Sequence, residues 1–298
     1  MTTETHDRSL ATPRHDLRLV IAVPARLGST RLPRKPLALL GGLPLIVRVT
    51  ERLKTCVRRL GQSLGVTADN CLILVATDSP EVCDVLHATG VMTIMTPSEL
   101  PSGTDRIMSA LNRLPASAHQ RISDSTLVIN LQGDEPFFHE EDIESLVSAM
   151  LRDPNIPMGT LAYPQADPVQ FMKTSVVKIV SDTLGHALYF SRSPIPWPRE
   201  SLGASHSVTS VQESVDRQTA LSFLQHVGVY AFRMNALKQF TSMPPSDLEL
   251  CEGLEQLRAL SAGWKIKLVI AHEAPFGIDT PEDLKRAEEY FATKGQKL

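Results

Sequence analysis

Arg26, Arg31, Arg34 and Lys35 fall within ten residues, interleaved with Gly28, Ser29 and Thr30 and bracketed by Pro33 and Pro36. Cations packed this densely repel one another unless an anion sits among them, and glycine with hydroxyls lets a backbone come close to that anion. A polyphosphate is the chemistry such a loop suits. The alternative is a solvated basic loop, but the order here is strand, then glycine and hydroxyls, then lysine, the context phosphate motifs require. No Gly-Lys-Ser/Thr follows, so this is not a P-loop, and no Gly-x-Gly-x-x-Gly is present.

Other chemistry-bearing residues sit where strands are expected to end. Gln132-Gly133-Asp134-Glu135-Pro136 follows the apolar run Leu127–Leu131. Gly133 suits a sharp turn, and Asp134 beside phosphates would be repulsive without a bridging divalent cation, which points to Mg²⁺. An acid in an ordinary turn is the competing reading. Asp279 precedes Thr280-Pro281-Glu282-Asp283, a helix start, so it reads first as helix-terminus electrostatics and as a metal ligand only if it meets Asp134. Thr77-Asp78 and Ser102-Gly103-Thr104-Asp105-Arg106 leave strands similarly; the latter reads as a loop around a base or ribose, or as a plain loop.

These residues need elements to carry them. Leu19–Val23 is short, β-branched and stopped by Pro24, which reads as a buried strand. Ile46, Val49, Leu53, Val57 and Leu60 have helical spacing after Pro44. Cys71–Ala76, Val91–Met95 and Leu127–Leu131 read as further strands, with helices over 81–89 and through Ile143, Leu146, Val147 and Met150. Doubly apolar strands separated by helices predict a parallel α/β sheet covered on both faces, and ligands in such sheets bind beyond the strands' carboxyl ends. Later strand candidates are 159–163, 176–180, 187–190, 227–232 and 266–270. The expected organisation is a disordered polar tail over 1–17 and one domain over 18–298, with 185–245 as a β-rich excursion containing a mobile loop at 201–218.

Composition excludes several classes. The 298 residues are 42% hydrophobic and 21% charged with net charge −3, which fits a soluble globular protein and argues against a general nucleic-acid or membrane-surface binder. Cys56, Cys71, Cys83 and Cys251 form no Cys-x-x-Cys pair, suiting reduced thiols in a cytoplasmic protein. No signal peptide is expected, because residues 1–17 lack an apolar stretch, nor any membrane insertion.

Taken together, Ile21-Ala-Val-Pro-Ala-Arg-Leu-Gly-Ser-Thr-Arg-Leu-Pro-Arg-Lys-Pro-Leu37, Val75-Ala-Thr-Asp78, Ser102–Arg106, Asn130-Leu-Gln-Gly-Asp-Glu-Pro136 and Gly277-Ile-Asp-Thr-Pro-Glu-Asp-Leu284 resemble the 3-deoxy-manno-octulosonate cytidylyltransferase family. Ala187–Trp197, His226–Tyr230 and Leu254–Arg258 extend the resemblance, which runs from about 19 to 289. It implies a nucleotidyltransferase (Rossmann-like) α/β domain with a mostly parallel central sheet, and a β-rich excursion that dimerises the chain and binds sugar. The implied reaction joins CTP and 3-deoxy-manno-octulosonate (Kdo) into CMP-Kdo and pyrophosphate, with Mg²⁺ as cofactor, for lipopolysaccharide synthesis. By the same resemblance Arg26, Lys35 and Asp134 are catalytic, and Asp134 and Asp279 bind metal. Pro24, Ala25, Arg26, Ser29, Lys35, Asp78, Ser102, Gly103, Arg106 and Gln132 hold the nucleotide. Gln132, Arg192, His226, Tyr230, Glu255 and Gln256 line the sugar-acid pocket.

Two positions depart from the family pattern: Arg34 stands where glycine is common, and Gln225 where arginine is common. The first bears on loop geometry and the second on a further anchor for the sugar carboxylate. Other acceptors remain open, namely 8-amino Kdo, sialate or a sugar phosphate, as does a catalytically silent nucleotide-binding protein on the same fold.

Overall fold

A computed structural model describes residues 16–29, 31–198 and 222–294. Thr30, most of the polar tail and the 201–218 segment lie outside the described residues. The chain runs β1 (Leu17–Ala25), a hairpin of β2 (Leu39–Leu40) and β3 (Leu43–Pro44), α1 (Leu45–Leu64), β4 (Cys71–Thr77), α2 (Pro80–His87), β5 (Met92–Met95), α3 (Gly103–Leu111), α4 (Ala116–His119), β6 (Ile122–Asn130) and α5 (Glu140–Arg152). It continues with β7 (Met158–Gln165), α6 (Pro168–Met172), β8 (Lys178–Ser181), β9 (Ala187–Ser191), β10 (Phe223–Arg233), α7 (Met234–Ser242), α8 (Asp247–Glu252), α9 (Gln256–Ser261), β11 (Ile266–Ile270) and α10 (Pro281–Lys294).

The main sheet has the order β11-β7-β10-β6-β1-β4-β5. Leu19–Val23 of β1 are essentially inaccessible to solvent, because β1 is flanked by parallel β4 and β6 and covered on both faces. Ile21 and Val23 pack with Leu53, Leu146 and Val147 on one side. Val20 and Ala22 pack with Ile107, Leu111, Phe232 and Phe240 on the other. This three-layer arrangement is what doubly apolar strands require.

The sheet is mostly parallel, as expected, with β10 running antiparallel to both β6 and β7; periodicity reports burial and is blind to strand direction. The stretch 185–245 differs from the sequence reading in not being wholly an excursion, since residues 230–233 of β10 pair with β6 in the middle of the sheet. Among the described strands β8 and β9 branch from it, β8 pairing with the first residues of β10. A β-bulge between Val227 and Tyr230 marks the change of register.

The Ser102–Arg106 segment is corrected from loop to helix start. Ser102 is the cap of α3, its Oγ accepting from the Asp105 backbone N–H. The spacing of serine and an acid three residues on is a capping signal available in the sequence.

Candidate active site

The carboxyl ends of β1 and β6 open onto a cavity of about 350 Å³ lined by Pro24, Ala25, Arg26, Ser29, Arg31, Lys35, Pro36, Leu100, Pro101, Ser102, Gly103, Arg106, Gln132, Gly133, Asp134 and Asp279. Two glycines allow this convergence by close approach rather than by unusual backbone angles. A Cβ on Gly133 would lie 3.2 Å from the Pro24 carbonyl oxygen, and one on Gly103 would lie 3.1 Å from Pro24 Cγ. Gly28, by contrast, has open space at its Cβ position, so close packing does not explain it.

Lys35 is the centre of the site. Its ammonium donates to Asp134 Oδ2 at 2.6 Å and to Asp279 Oδ1 at 2.7 Å. Arg31 pairs with the other Asp279 oxygen at 3.1 Å. Burial alone would lower the Lys35 pKa, but the two carboxylates outweigh it and hold it above its ordinary value. The convergence that sequence could not show is enforced by backbone: the Ile278 N–H donates to the Asp134 carbonyl at 3.0 Å. Helix capping is done by others. Thr280 Oγ1 accepts from the Asp283 N–H, and the Asp283 carboxylate accepts from the Thr280 N–H. Asp279 is thereby released from the helix-start role and faces the lysine.

Two hard carboxylate oxygens that meet at one cationic point suit a divalent cation whose remaining ligands are phosphates and water, the usual state of Mg²⁺. Among the described residues no set of three or more His, Cys, Asp or Glu side chains is arranged as a protein-only metal cage. Arg26 lines the cavity, and among the described residues it has no ion-pair partner. Glu135, adjoining both aspartates, is pushed up to about 8 by burial and by the charges of Asp134 and Asp279.

Asp78 and Arg106 act mainly on the wall of the site. Arg106 bonds Thr96 Oγ1 at 2.7 Å and the Pro97 and Ser98 carbonyls, and pairs with Asp78 at 3.3 Å. Asp78 in turn accepts from the Leu27 N–H at 3.3 Å. The pair ties the phosphate loop to the loop after β5. Arg34 takes φ 58° and ψ 29°, the left-handed conformation a glycine would supply, and pairs with Glu81 of α2. The loop therefore keeps the shape that the glycine of the family pattern would allow.

The expected sugar-side residues form a second cluster next to this cavity. Tyr230 OH donates to Gln256 Oε1 at 3.0 Å, and Glu255 Oε1 accepts from Thr104 Oγ1 at 2.7 Å. Glu255 Oε2 and Gln256 Nε2 are buried without a hydrogen-bond partner. A buried acceptor beside a buried donor, both unmet, is costly unless a hydroxyl-rich ligand arrives. Burial raises the Glu255 carboxyl, opposed by hydrogen bonding from Thr104 and Ser102, and burial also raises the Tyr230 phenol. His226 is lowered to about 4 by burial, so its ring is neutral at physiological pH. Thr160 Oγ1 lies 2.7 Å from the Val229 carbonyl, 3.3 Å from the Val227 carbonyl and 3.0 Å from His226 Nε2. With its hydrogen on the nearer carbonyl, Nε2 carries the ring proton and Nδ1 is an acceptor.

Arg192 is not brought into either cluster. Its guanidinium bonds the carbonyls of Glu252, Thr174 and Gly253, bracing the end of α8 against β9. Gln225 lies in the β10 ladder opposite Tyr163 and Lys178. Sequence reading counts Arg31 among the loop cations and Asn130 within a motif, but assigns neither these nor Thr104 a place in the site. The Ser102-x-x-Asp105 cap could have signalled Thr104, and a lone amide within the apolar run Leu127–Leu131 could have signalled Asn130. A larger cavity of about 1080 Å³ lies against α1. Its cations are committed to protein partners: Arg48 to the Leu40 carbonyl, Arg52 to the Phe138 carbonyl, Lys54 to Glu51 and Arg58 to the Thr55 hydroxyl.

An α/β sheet with cations, paired aspartates and a capped helix start at its carboxyl edge defines a nucleotidyltransferase. A cytidylyltransferase family model matches residues 20–266. The chain is 40% identical to the 3-deoxy-manno-octulosonate cytidylyltransferase of Thermodesulfovibrio yellowstonii, covering 92% of this chain and 98% of that one. It is also 40% identical to the enzyme of that name from Stenotrophomonas maltophilia, covering 92% and 97%. A solved CMP:2-keto-3-deoxy-manno-octonic acid synthetase complexed with CTP superposes with TM-score 0.75 at 35% identity, covering 94% and 100%. A 4-diphosphocytidyl-2C-methyl-D-erythritol synthase from Anaerococcus prevotii, 14% identical over 93% of this chain and 99% of its own, shares the fold at TM-score 0.55. The chain belongs to the 3-deoxy-manno-octulosonate cytidylyltransferase family.

Proposed function

We propose that this chain transfers CMP from CTP to Kdo, releasing pyrophosphate, with Mg²⁺ held by Asp134 and Asp279. The observation that carries the reading is the meeting of Lys35, Asp134 and Asp279 in one cavity, beside the unmet Glu255 and Gln256 groups. CTP as donor is supported by kinship with the CTP-bound synthetase, and Kdo by the names of the relatives.

The anomeric 2-hydroxyl oxygen bonds to the α-phosphorus as the bond to the pyrophosphate oxygen breaks, and the hydroxyl proton leaves to solvent. Such transfers need alignment and charge neutralisation more than covalent participation. Within the cluster Lys35 and Arg31 balance two carboxylates, which leaves Arg26 as the cation open to the triphosphate. Asp134 and Asp279 would hold Mg²⁺, which would supply further positive charge and make the attacking hydroxyl more acidic. Lys35 and Arg26 steady the charge that grows on pyrophosphate. Glu255, Gln256, Tyr230 and neutral His226 hold the sugar hydroxyls. The same reading places the reaction in the cytoplasm and the chain in a homodimer.

Incubation with CTP, Mg²⁺ and a panel of Kdo, 8-amino Kdo, sialate and sugar phosphates tests this. Pyrophosphate release is expected with Kdo and depends on Mg²⁺. CTP binding without release for any acceptor would leave the silent nucleotide-binding reading instead.

A further inference from the structure

Between the nucleotide-side and sugar-side clusters runs an unbroken line of hydrogen bonds, fully buried at its middle. Gln132 Nε2 donates to Asn130 Oδ1 at 3.1 Å, Asn130 Nδ2 donates to Thr104 Oγ1 at 3.1 Å, and Thr104 Oγ1 donates to Glu255 Oε1 at 2.7 Å. Thr104 is wholly inaccessible to solvent and Asn130 is 1% exposed. Neither is among the residues lining the cavity, yet the two side chains bond each other and together span from Gln132 on one side to Glu255 on the other.

The direction of the line is forced from one end. The Glu255 carboxylate oxygen that faces Thr104 accepts, so the threonine must give it its single hydrogen. The threonine oxygen can then only accept, which turns the Asn130 amide nitrogen toward it. Asn130 therefore presents its carbonyl to Gln132, and Gln132 must answer with its amide nitrogen. The Gln132 carbonyl oxygen is left facing the cavity, 3.8 Å from the position a Cβ on Gly103 would occupy. Glu255 likewise keeps Oε2 unmet for a ligand.

We infer that Asn130 and Thr104 are positioning residues that couple the two pockets, fixing Gln132 with its acceptor toward the reacting centre and Glu255 with its free oxygen toward the sugar acid. This rests on the function proposed above. Chains of buried hydrogen bonds are either satisfied throughout or costly, so a break at one link disorders both ends. The consequence is uneven: Glu255 and Gln132 both belong to the sugar-acid side, so loss of the hydroxyl at 104 should weaken the acceptor's hold most, while the nucleotide loses only the Gln132 part of a contact set carried largely by the β1 loop.

The test compares Thr104→Val, which keeps the shape and removes the hydroxyl, with Thr104→Ser, which restores it. Asn130→Asp is the second break, because a carboxylate there has no N–H to offer and draws the Thr104 hydrogen away from Glu255. Thr104→Val and Asn130→Asp are each expected to raise the KM for the sugar acid about tenfold, the scale of one buried hydrogen bond lost. The Kd for CTP, measured without acceptor, should stay within about twofold by the same reasoning, because no link of the line is a phosphate contact. Thr104→Ser should behave like the wild type, and the double variant should be no worse than either single one. An unchanged acceptor KM, an equal loss of CTP affinity, failure of Thr104→Ser to rescue, or strictly additive effects would each overturn the coupling. If the wild type turns over none of the acid sugars, the proposed function falls and the coupling with it. An active wild type with unaffected variants removes the coupling alone.

Discussion

At the scale of single residues, Lys35 does two jobs that pull in different directions. It neutralises Asp134 and Asp279, and it must also be free to meet growing negative charge on the leaving group. Its contact with pyrophosphate strengthens in the transition state, so Lys35→Ala should lower kcat by roughly a hundredfold and raise the Kd for CTP much less. A variant whose sole defect is a raised KM for CTP would contradict this assignment. Asp134→Ala is expected to abolish most pyrophosphate release with the circular dichroism spectrum unchanged, because the carboxylate's partner is Lys35 and not the core. Full turnover by that variant would remove the metal role. His226 offers a pH test. Its folded-state pKa lies near 4, below the ordinary 6.5. The unfolded chain therefore binds the extra proton first as pH falls, and stability is lost progressively between about pH 6.5 and pH 4. Urea denaturation of His226→Gln across that range should show a shallower acid loss than the wild type; parallel curves would mean the ring titrates normally.

At the scale of elements, the start of α3 and the β1 loop show how local chemistry aims the site. Ser102 caps α3 and places Gly103 against Pro24. Ser102→Ala should cost about 1 kcal/mol of stability by loss of the cap, and it should also weaken CTP binding, since the helix start forms the cavity wall. Stability loss with unaltered CTP affinity would make the cap merely structural. Arg34 holds a left-handed backbone that glycine adopts freely, in return for an exposed ion pair with Glu81. Arg34→Gly is expected to leave the melting temperature equal or higher, the more so at high salt, where the ion pair is screened. A drop in high salt would show that the tether matters more than the backbone conformation. Both features have readable signals: a serine followed by an acid three residues on, and a bulky residue in a loop where Gly is common. The helices over 234–252 escaped notice, while Leu254 and Leu257 have helical spacing; all are short and are held by tertiary contacts. Arg258, for example, bonds Glu249 and stacks on Phe240.

For the whole molecule, the proposed homodimer draws support from apolar side chains left in solvent around β9 and α8: Leu184 is 67% exposed, Leu188 60% and Leu250 70%. Large exposed aliphatics on one region are the ordinary mark of an interface. Sedimentation should give twice the 32.7 kDa chain mass, and Leu188→Asp with Leu250→Asp should shift it to monomer; a monomeric wild type would rule the dimer out. No described helix is long and apolar enough to cross a membrane. Much was open to reading before any fold was known. The buried strands, the phosphate loop and the acids at strand ends are written in adjacent residues, because burial and turn chemistry act over a few positions. What required three dimensions was every relation between distant segments. Asp134 meets Asp279 because Ile278 hydrogen-bonds across to the Asp134 carbonyl. The run of β10 against its neighbours, the commitment of Arg192 to three carbonyls, and the line from Gln132 to Glu255 likewise depend on which strands lie side by side. Sheet order is a long-range choice made by the packing of the entire core, and no local pattern encodes it.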